Sequence, residues 1–433
     1  MHLTPEQQTV GRRNFLKAVA GVPALAGLGA AMAVRGPVRG GPVRLGFVGL
    51  GGEGRVLLEQ VDPAFARVTA LCDINPAQLA RADEVLAKHH APPAPHFVEY
   101  ADMLRSADVE AVVIATPLWT HADITTACLE AGKHVLCEKM MAWDVEGCAR
   151  MRDTARRTGL VLEIGYQRRY NAMYHAAYEG VIRRGLLGDV YLSRILWHRN
   201  GNWRRRGDPP SPDYDPSAWG YPDWEHLLNW RLYTRYSRGL LAELASHQVN
   251  IVNWFFDAEP DAVLGSGGIY RHRDGREVDD HVYVTFEYPG GRTAVFSSIE
   301  SNAFDHYYEA FFGTKGTLVL RGESEAYLFH EGSGAQEALA ITPAGPGPVL
   351  EASESRAADA AGAGADGGQT GSGDRLAAYR AEISGFCSAI RAGTPLRCGA
   401  DAAMGSAVAC LRALEAIERK ARVPIRAGQQ EHT

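Results

Sequence analysis

The sequence predicts an α/β fold in two parts, a doubly wound parallel-sheet unit followed by a second unit with its own sheet. Three observations carry this. A short apolar run, Val43 to Gly49, enters the glycine-rich turn Gly49-Leu50-Gly51-Gly52-Glu53-Gly54. β-Branched runs then alternate with helical stretches as far as Gly165, as repeated βα units do. Far downstream, His281 to Tyr288 alternates, Pro289-Gly290-Gly291 turns and Arg292 to Ser298 returns, a long hairpin that belongs to a second sheet.

The N-terminal residues read as an address. Arg12-Arg13 is followed by Phe15-Leu16-Lys17, then by a weakly apolar Gly/Ala stretch from Ala18 that ends in Ala31-Met32-Ala33. That order resembles a twin-arginine (Tat) signal peptide over residues 1–33, although Gly11 precedes the pair where Ser or Thr is usual. The competing reading is an unstructured arm. The run is too short and too glycine-rich for a retained membrane-spanning helix. If it is a signal, the protein is exported folded, to the periplasm or the medium.

Residues 34–165 form the first domain. Val43 to Gly49 is a strand, Val56 to Gln60 opens a helix, and Arg67 to Asp73 is a second strand ending in an acid. In this setting Gly49 makes the tight turn, Gly51 and Gly52 admit a pyrophosphate to the backbone, and Gly54 allows close helix packing. Asp73 stands 19 residues beyond Gly54, where a carboxylate hydrogen-bonds ribose hydroxyls and repels a 2′-phosphate. NAD is favoured over NADP. Runs at Val109 to Thr116, Val135 to Cys137 and Val161 to Gly165 continue the sheet. Their C-terminal ends place Thr116, Pro117, His121, Glu138 and Lys139 near the nicotinamide end of the crevice. Position alone leaves His121 equally readable as a helix cap and Lys139 as a solvated loop lysine.

Residues 166–425 form the second domain. Glu243 and His247 are four apart, so on a helix they share a face, where the carboxylate orients the imidazole and stabilises its charged form. The same spacing suits two metal ligands, but no third ligand accompanies them and no metal is expected. Trp197 to Arg206 and the Pro- and aromatic-rich stretch to Trp230 supply flat rings with Asn and Arg donors. Such a set stacks on the C–H faces of a sugar while bonding its hydroxyls; a core or subunit-contact role competes. His198, Asn202 and Trp203 are the candidate substrate residues here. From Ala344 to Asp374 the chain is Gly-, Ala-, Ser- and Asp-rich without period, a low-complexity insertion.

These motifs together resemble the Gfo/Idh/MocA oxidoreductase family. The likeness rests on Ala115-Thr116-Pro117 with His121, on Ala131-Gly132-Lys133-His134-Val135-Leu136-Cys137-Glu138-Lys139, and on Ile164 to Tyr170. It continues in Gly185 to Val190, Gly313 to Thr317 and the terminal Ala-rich stretch. The resemblance implies a Rossmann dinucleotide-binding domain joined to a C-terminal α/β domain built on a large, mostly antiparallel open sheet. It implies that the open face pairs subunits, giving a dimer or tetramer. It gives Lys139 the place of the lysine in a Glu-Lys-Pro motif beside the nicotinamide, with Met140 where the proline would stand. His247 inherits the general base role, with Glu243 in the position of an acid and Asn250 where a second acid is frequent. Tyr166 and Arg168 become further substrate candidates.

Composition sets outer limits. The chain has 433 residues, 22% charged and 46% hydrophobic, ordinary for a globular enzyme. Removing residues 1–33 takes away three basic residues and one acidic one and shifts the net charge from −6 to −8, a poor match to nucleic acid. The seven cysteines are spread through apolar runs and read as buried thiols. The leading expectation is an NAD(P)-dependent oxidoreductase acting on a sugar, sugar acid or polyol, with a cofactor held tightly enough to travel with an exported protein. A redox-neutral glycoside hydrolase and a non-catalytic sugar-binding protein are the alternatives.

Overall fold

The computed structural model describes residues 3–20, 40–332 and 373–425. Ala31-Met32-Ala33 and the low-complexity stretch up to residue 372 lie outside them. The segment expected as a signal begins as a helix, α1 (Pro5–Val19), closed by a capping box in which Thr4 and Gln7 each bond the other's backbone amide. Phe15, Ala18 and Val19 are buried. Arg12, the first arginine of the pair, reaches Glu325 at 3.2 Å. Asn14 donates to the Leu328 carbonyl, and Gly11 lies so close to Phe329 that a Cβ there would come within 2.7 Å of the ring.

The first sheet is built from β1 (Val43–Val48), β2 (Ala66–Cys72), β3 (His96–Phe97), β4 (Ala111–Ile114), β5 (His134–Glu138) and β6 (Leu162–Gly165), all parallel, in the order β3-β2-β1-β4-β5-β6. Helices α2 (Gly52–Glu59), α3 (Pro76–Lys88), α4 (Tyr100–Ser106), α5 (His121–Glu130) and α6 (Val145–Thr158) connect the strands. β4 is buried on both faces, which is why its sequence is an unbroken apolar run. The strand order reverses between β1 and β4, so a crevice opens beyond their C-terminal ends.

Helix α7 (Ala172–Ala177) leads to β7 (Val190–His198); α8 (Trp224–Leu228) and α9 (Ser246–Phe256) separate it from β8 (Ala262–Gly268). Strands β9 (His281–Tyr288), β10 (Arg292–Ile299), β11 (Tyr307–Gly313), β12 (Gly316–Arg321) and β13 (Glu325–His330) complete the second sheet, with helices α10 (Gly373–Ala392) and α11 (Ala400–Arg419) and the short β14 (Val423–Pro424) after them. Its eight strands run β13-β12-β11-β7-β10-β9-β8-β14, antiparallel except for the β7–β10 pair. The expected hairpin is β9–β10. One face, with Ile195, Trp197, Phe296 and Phe311, packs in the main core. The other carries Leu196, Tyr308, Val319 and Tyr327 against Leu3, while Leu264, Tyr283 and Val295 beyond are exposed.

Helix α10 follows the second sheet in sequence yet packs in the first domain. Tyr379, Ile383, Phe386 and Cys387 share a core with Val43, Leu45 and Phe47 of β1. All seven cysteines are buried and unpaired.

Candidate active site

A cleft of about 1110 Å³ runs between the domains, from the glycine-rich turn to the face of the second sheet. That exceeds the usual 300–1,000 Å³ or so of a single-ligand pocket and has room for a dinucleotide with a second molecule. Gly49, with φ of 87°, turns the chain out of β1. A Cβ on Gly54 would lie 2.0 Å from the Gly49 carbonyl oxygen, so only glycine lets α2 start this close to the turn. A Cβ on Gly51 would meet nothing within 4 Å; the backbone there is open to the cleft. The first amides of α2 point where phosphates would sit.

Asp73, at the end of β2, accepts from the amides of Leu50 (2.6 Å) and Asn75 (2.7 Å). Burial outweighs these two bonds and pushes its pKa up to about 6. Thr116 and Pro117 line the cleft, and His121, buried at the start of α5, bridges the Thr116 and Met140 carbonyls at 2.9 Å each. Burial lowers its pKa although both bonds favour the charged ring. Glu138 accepts from the Lys139 amide through one oxygen; the other is buried without a partner. Burial, then Glu53, raises Glu138 to about 8.

Lys139 leaves β5 on a cis Lys139–Met140 peptide. Its Nζ donates to the Glu243 carbonyl at 3.1 Å and lies 4.0 Å from that residue's carboxylate. Arg231 takes the same carboxylate at 3.1 Å. Burial alone would raise Glu243, but Lys139, Arg231 and Arg199 hold it below its ordinary value. This corrects the expectation that Glu243 orients His247 and stabilises its charged form. Two cations occupy the carboxylate, and Nδ1 of His247 is buried without a partner. His247 on α9 is pushed well below its ordinary pKa by burial and by Lys139, Arg168 and Arg375, so it stands neutral at neutral pH.

Trp197 lines the cleft with its ring centroid 6.1 Å from that of His247. Behind it, Tyr307 stacks at 4.6 Å and the Arg168 guanidinium lies 5.2 Å over the Trp197 ring. Arg168 therefore does not face substrate: it is 1% exposed and paired with the buried Glu309 and Glu323. Tyr166, also 1% exposed, meets the His247 ring edge-on from outside the cleft lining. His198 is displaced by strand alternation; next to Trp197 on β7, it points to the opposite face and bonds the Phe304 carbonyl and the Ser297 hydroxyl. Asn202 spends its side-chain oxygen on the Arg204 amide and does not line the cleft. Of that group Trp203 alone does, with the Arg199 guanidinium 4.4 Å over its ring.

Reading the sequence missed Arg375 and Tyr379 on α10. Arg375 lines the cleft beside the glycine-rich turn, 4.0 Å from Glu53, and donates to the Tyr379 hydroxyl at 3.1 Å. No local motif marks them, because α10 reaches the first domain only through tertiary packing. The open backbone at Gly51, the acid ending β2 and the unpartnered Glu138 and His247 atoms fit a nicotinamide dinucleotide. Among the described residues no three His, Cys, Asp or Glu side chains converge as metal ligands.

Comparison with known proteins agrees with this geometry. Residues 43–166 match a family model described as an oxidoreductase family with an NAD-binding Rossmann fold, and residues 175–319 match the GFO/IDH/MocA C-terminal domain. A glycosyl hydrolase family 109 protein of Shewanella baltica is 32% identical over 178 residues, 37% of this chain and 39% of that protein's own length. An inositol 2-dehydrogenase of Rubrobacter xylanophilus is 29% identical over 286 residues, covering 64% of this chain and 71% of the relative. Among solved structures, the WlbA dehydrogenase of Bordetella pertussis, in complex with NADH and UDP-GlcNAcA, superposes with a TM-score of 0.66 at 17% identity, over 89% of this chain and all of that one. At that identity the likeness shows the fold.

Proposed function

Since this chain belongs to the Gfo/Idh/MocA family, we propose that it transfers hydride between a tightly held nicotinamide dinucleotide, NAD in preference to NADP, and the carbinol carbon of a sugar, sugar acid or polyol. One observation carries the reading: Lys139, Glu243 and His247 line the same cleft as the glycine-rich turn and Asp73. The nicotinamide ring, when bound, supplies the hydride acceptor. Gly51 and the α2 amides would hold the pyrophosphate, and Asp73 the ribose. Neutral His247 takes the hydroxyl proton of the substrate, and the Lys139 ammonium, fixed by Glu243, stabilises the oxygen as charge develops on it. Trp197 and Trp203 offer apolar faces to the substrate's C–H groups.

The likeness to the glycosyl hydrolase family 109 protein favours a second outcome at the same site. Transient oxidation of a sugar acidifies a neighbouring C–H and permits elimination of the glycosidic substituent; water then adds at the anomeric carbon of the resulting unsaturated ketone, and the hydride is returned to the carbonyl. Protein purified without added nucleotide, then denatured to identify what it releases, separates these readings when the intact protein is also given sugar–ketone pairs and aryl glycosides. Stoichiometric NAD with exchange of hydride between two sugars supports the oxidoreductase. Glycoside cleavage without net reduction supports the hydrolase, and protein that neither holds nor binds a dinucleotide overturns both.

Export by the twin-arginine route and self-association through the open sheet face complete the proposal. Because Arg12 is paired with Glu325 on a docked α1, an export machine that reads the pair must meet the helix off the sheet. Cell fractionation of wild type and an Arg12→Lys/Arg13→Lys variant tests the route: the variant is expected to stay in the cytoplasm, and equal distribution overturns it.

A further inference from the structure

The aromatic stretch between β7 and α9, read from the sequence as a sugar platform, lies largely over the other end of the cleft. Tyr214 donates to the carbonyl of Ile74, the residue after Asp73, at 3.1 Å. Trp219 donates its indole N–H to Glu99 at 3.0 Å. Both partners belong to the first domain at the ends of β2 and β3, where the adenosine half of a dinucleotide would lie. Tyr214 stacks on Trp219 and meets Trp224 edge-on, so the two anchors form one aromatic unit.

The same segment is tied down again toward the catalytic end. Trp119, from the loop after β4, donates to the Tyr221 hydroxyl at 2.8 Å and packs edge-on against Tyr221 and Tyr236. Tyr221 and Tyr236 are 2% and 1% exposed, so this is a packed seam. Trp143, beyond Lys139, donates to the Thr234 carbonyl at 3.3 Å and carries the Arg238 guanidinium on its ring. A chain that leaves the second domain is thus bonded to the first at both ends of the cleft, with Gly207 and Pro210 ahead of the anchors and Trp224 between them lining the cleft.

We propose that residues 201–236 are a strap that retains the dinucleotide, with Tyr214 and Trp219 as the latch on its adenosine side. This rests on the reading of the cleft as a dinucleotide site. A strap anchored on both rims must lift before the cofactor enters or leaves, so it slows both steps, whereas a simple contact residue slows release alone. The turnover compatible with a strapped cofactor passes the hydride on in place. One carbinol is oxidised to a carbonyl, one carbonyl compound is reduced to a carbinol, and the dinucleotide ends as it began.

The test loads the full chain with NADH, follows its fluorescence and chases it with excess NAD. Tyr214→Phe deletes one donor and keeps its ring; Trp219→Phe deletes the other donor and leaves a smaller aromatic ring in its place. The double variant is expected to release and to bind NADH about tenfold faster or more, for two hydrogen bonds lost, with its melting temperature unchanged. Tyr214→Phe alone, one oxygen smaller, is expected to move both rates in the same direction. Unchanged rates in both variants overturn the strap while leaving the dinucleotide site intact. Faster release with unaltered binding assigns the two residues to ordinary contact and also overturns it. A wild-type protein that binds no NADH overturns the functional reading and the strap together.

Discussion

Lys139 and Glu243 join the two domains at the catalytic end of the cleft, the lysine Nζ 3.1 Å from the glutamate carbonyl and 4.0 Å from its carboxylate. Lys139 comes from the end of a Rossmann strand and Glu243 from the turn of helix leading into α9. The pair therefore sets where the ammonium stands relative to His247, and domain closure and catalytic geometry are one constraint. Lys139→Ala is expected to keep NADH binding and lower turnover by about 10²–10⁴-fold, the usual weight of one proton-transfer or charge-stabilising group. Turnover with substrate and fluorescence titration with NADH, on the same preparation, check it.

His247 is neutral before substrate arrives, because burial and three nearby cations disfavour the imidazolium. The acid limb of the kcat/KM profile is expected below the ordinary histidine range, leaving activity level from about pH 6.5 upward until another group titrates. His247→Asn is expected to remove that limb with most of the rate. A limb centred at the ordinary histidine value in wild type contradicts the assignment.

Buried carboxyls give stability a pH dependence of the opposite sign from the usual one. Glu163 is fully buried, accepts from Tyr170 at 2.5 Å and is raised by burial to about 8; Glu382, fully buried with both oxygens unpartnered, is raised as well. A folded-state pKa above the unfolded value favours the protonated form on folding. The contribution is complete below about pH 4.5 and lost as pH rises through about 8. Glu163→Gln is expected to stabilise the protein by about 1–3 kcal/mol at pH 8, with little effect at pH 5. Thermal unfolding at the two pH values measures it.

Asp73 separates the two cofactors by charge. Asp73→Ser is expected to weaken NAD about tenfold, by loss of charge-assisted ribose bonds, and to strengthen NADP, by loss of repulsion at the 2′-phosphate. Titration with both nucleotides decides it; an unaltered ratio removes Asp73 from cofactor choice.

The first domain was legible because its signals are local. A strand, a glycine turn whose first and last glycines, Gly49 and Gly54, admit no side chain, and an acid at a set distance can be read within 31 residues, Val43 to Asp73. Lys139 and His247, singled out through the family resemblance, both line the cleft. What escaped depends on contacts remote in sequence. Arg168 looked like a donor for substrate, but two glutamates more than a hundred residues away consume it. His198 lay one residue from Trp197, and only the pleat decided which of the two faced the cleft. Glu243 stood correctly four residues from His247, yet Lys139 and Arg231 claimed its carboxylate. Helix α10 carried no sign that it would turn back to the first domain and bring Arg375 to the glycine-rich turn. The twin-arginine segment read as an address has, in α1, the capping box and buried face of a docked helix.

The most direct test is a single turnover. Protein loaded with NAD and free of excess nucleotide is mixed in a stopped-flow instrument with each of a panel of sugars, sugar acids and polyols while reduced-nicotinamide absorbance is followed. The account predicts that at least one compound produces a burst of reduced nicotinamide that Lys139→Ala suppresses, and that a carbonyl acceptor added afterwards discharges it. No absorbance change with any compound in NAD-loaded wild type, or an undiminished burst in Lys139→Ala, contradicts hydride transfer at this cleft.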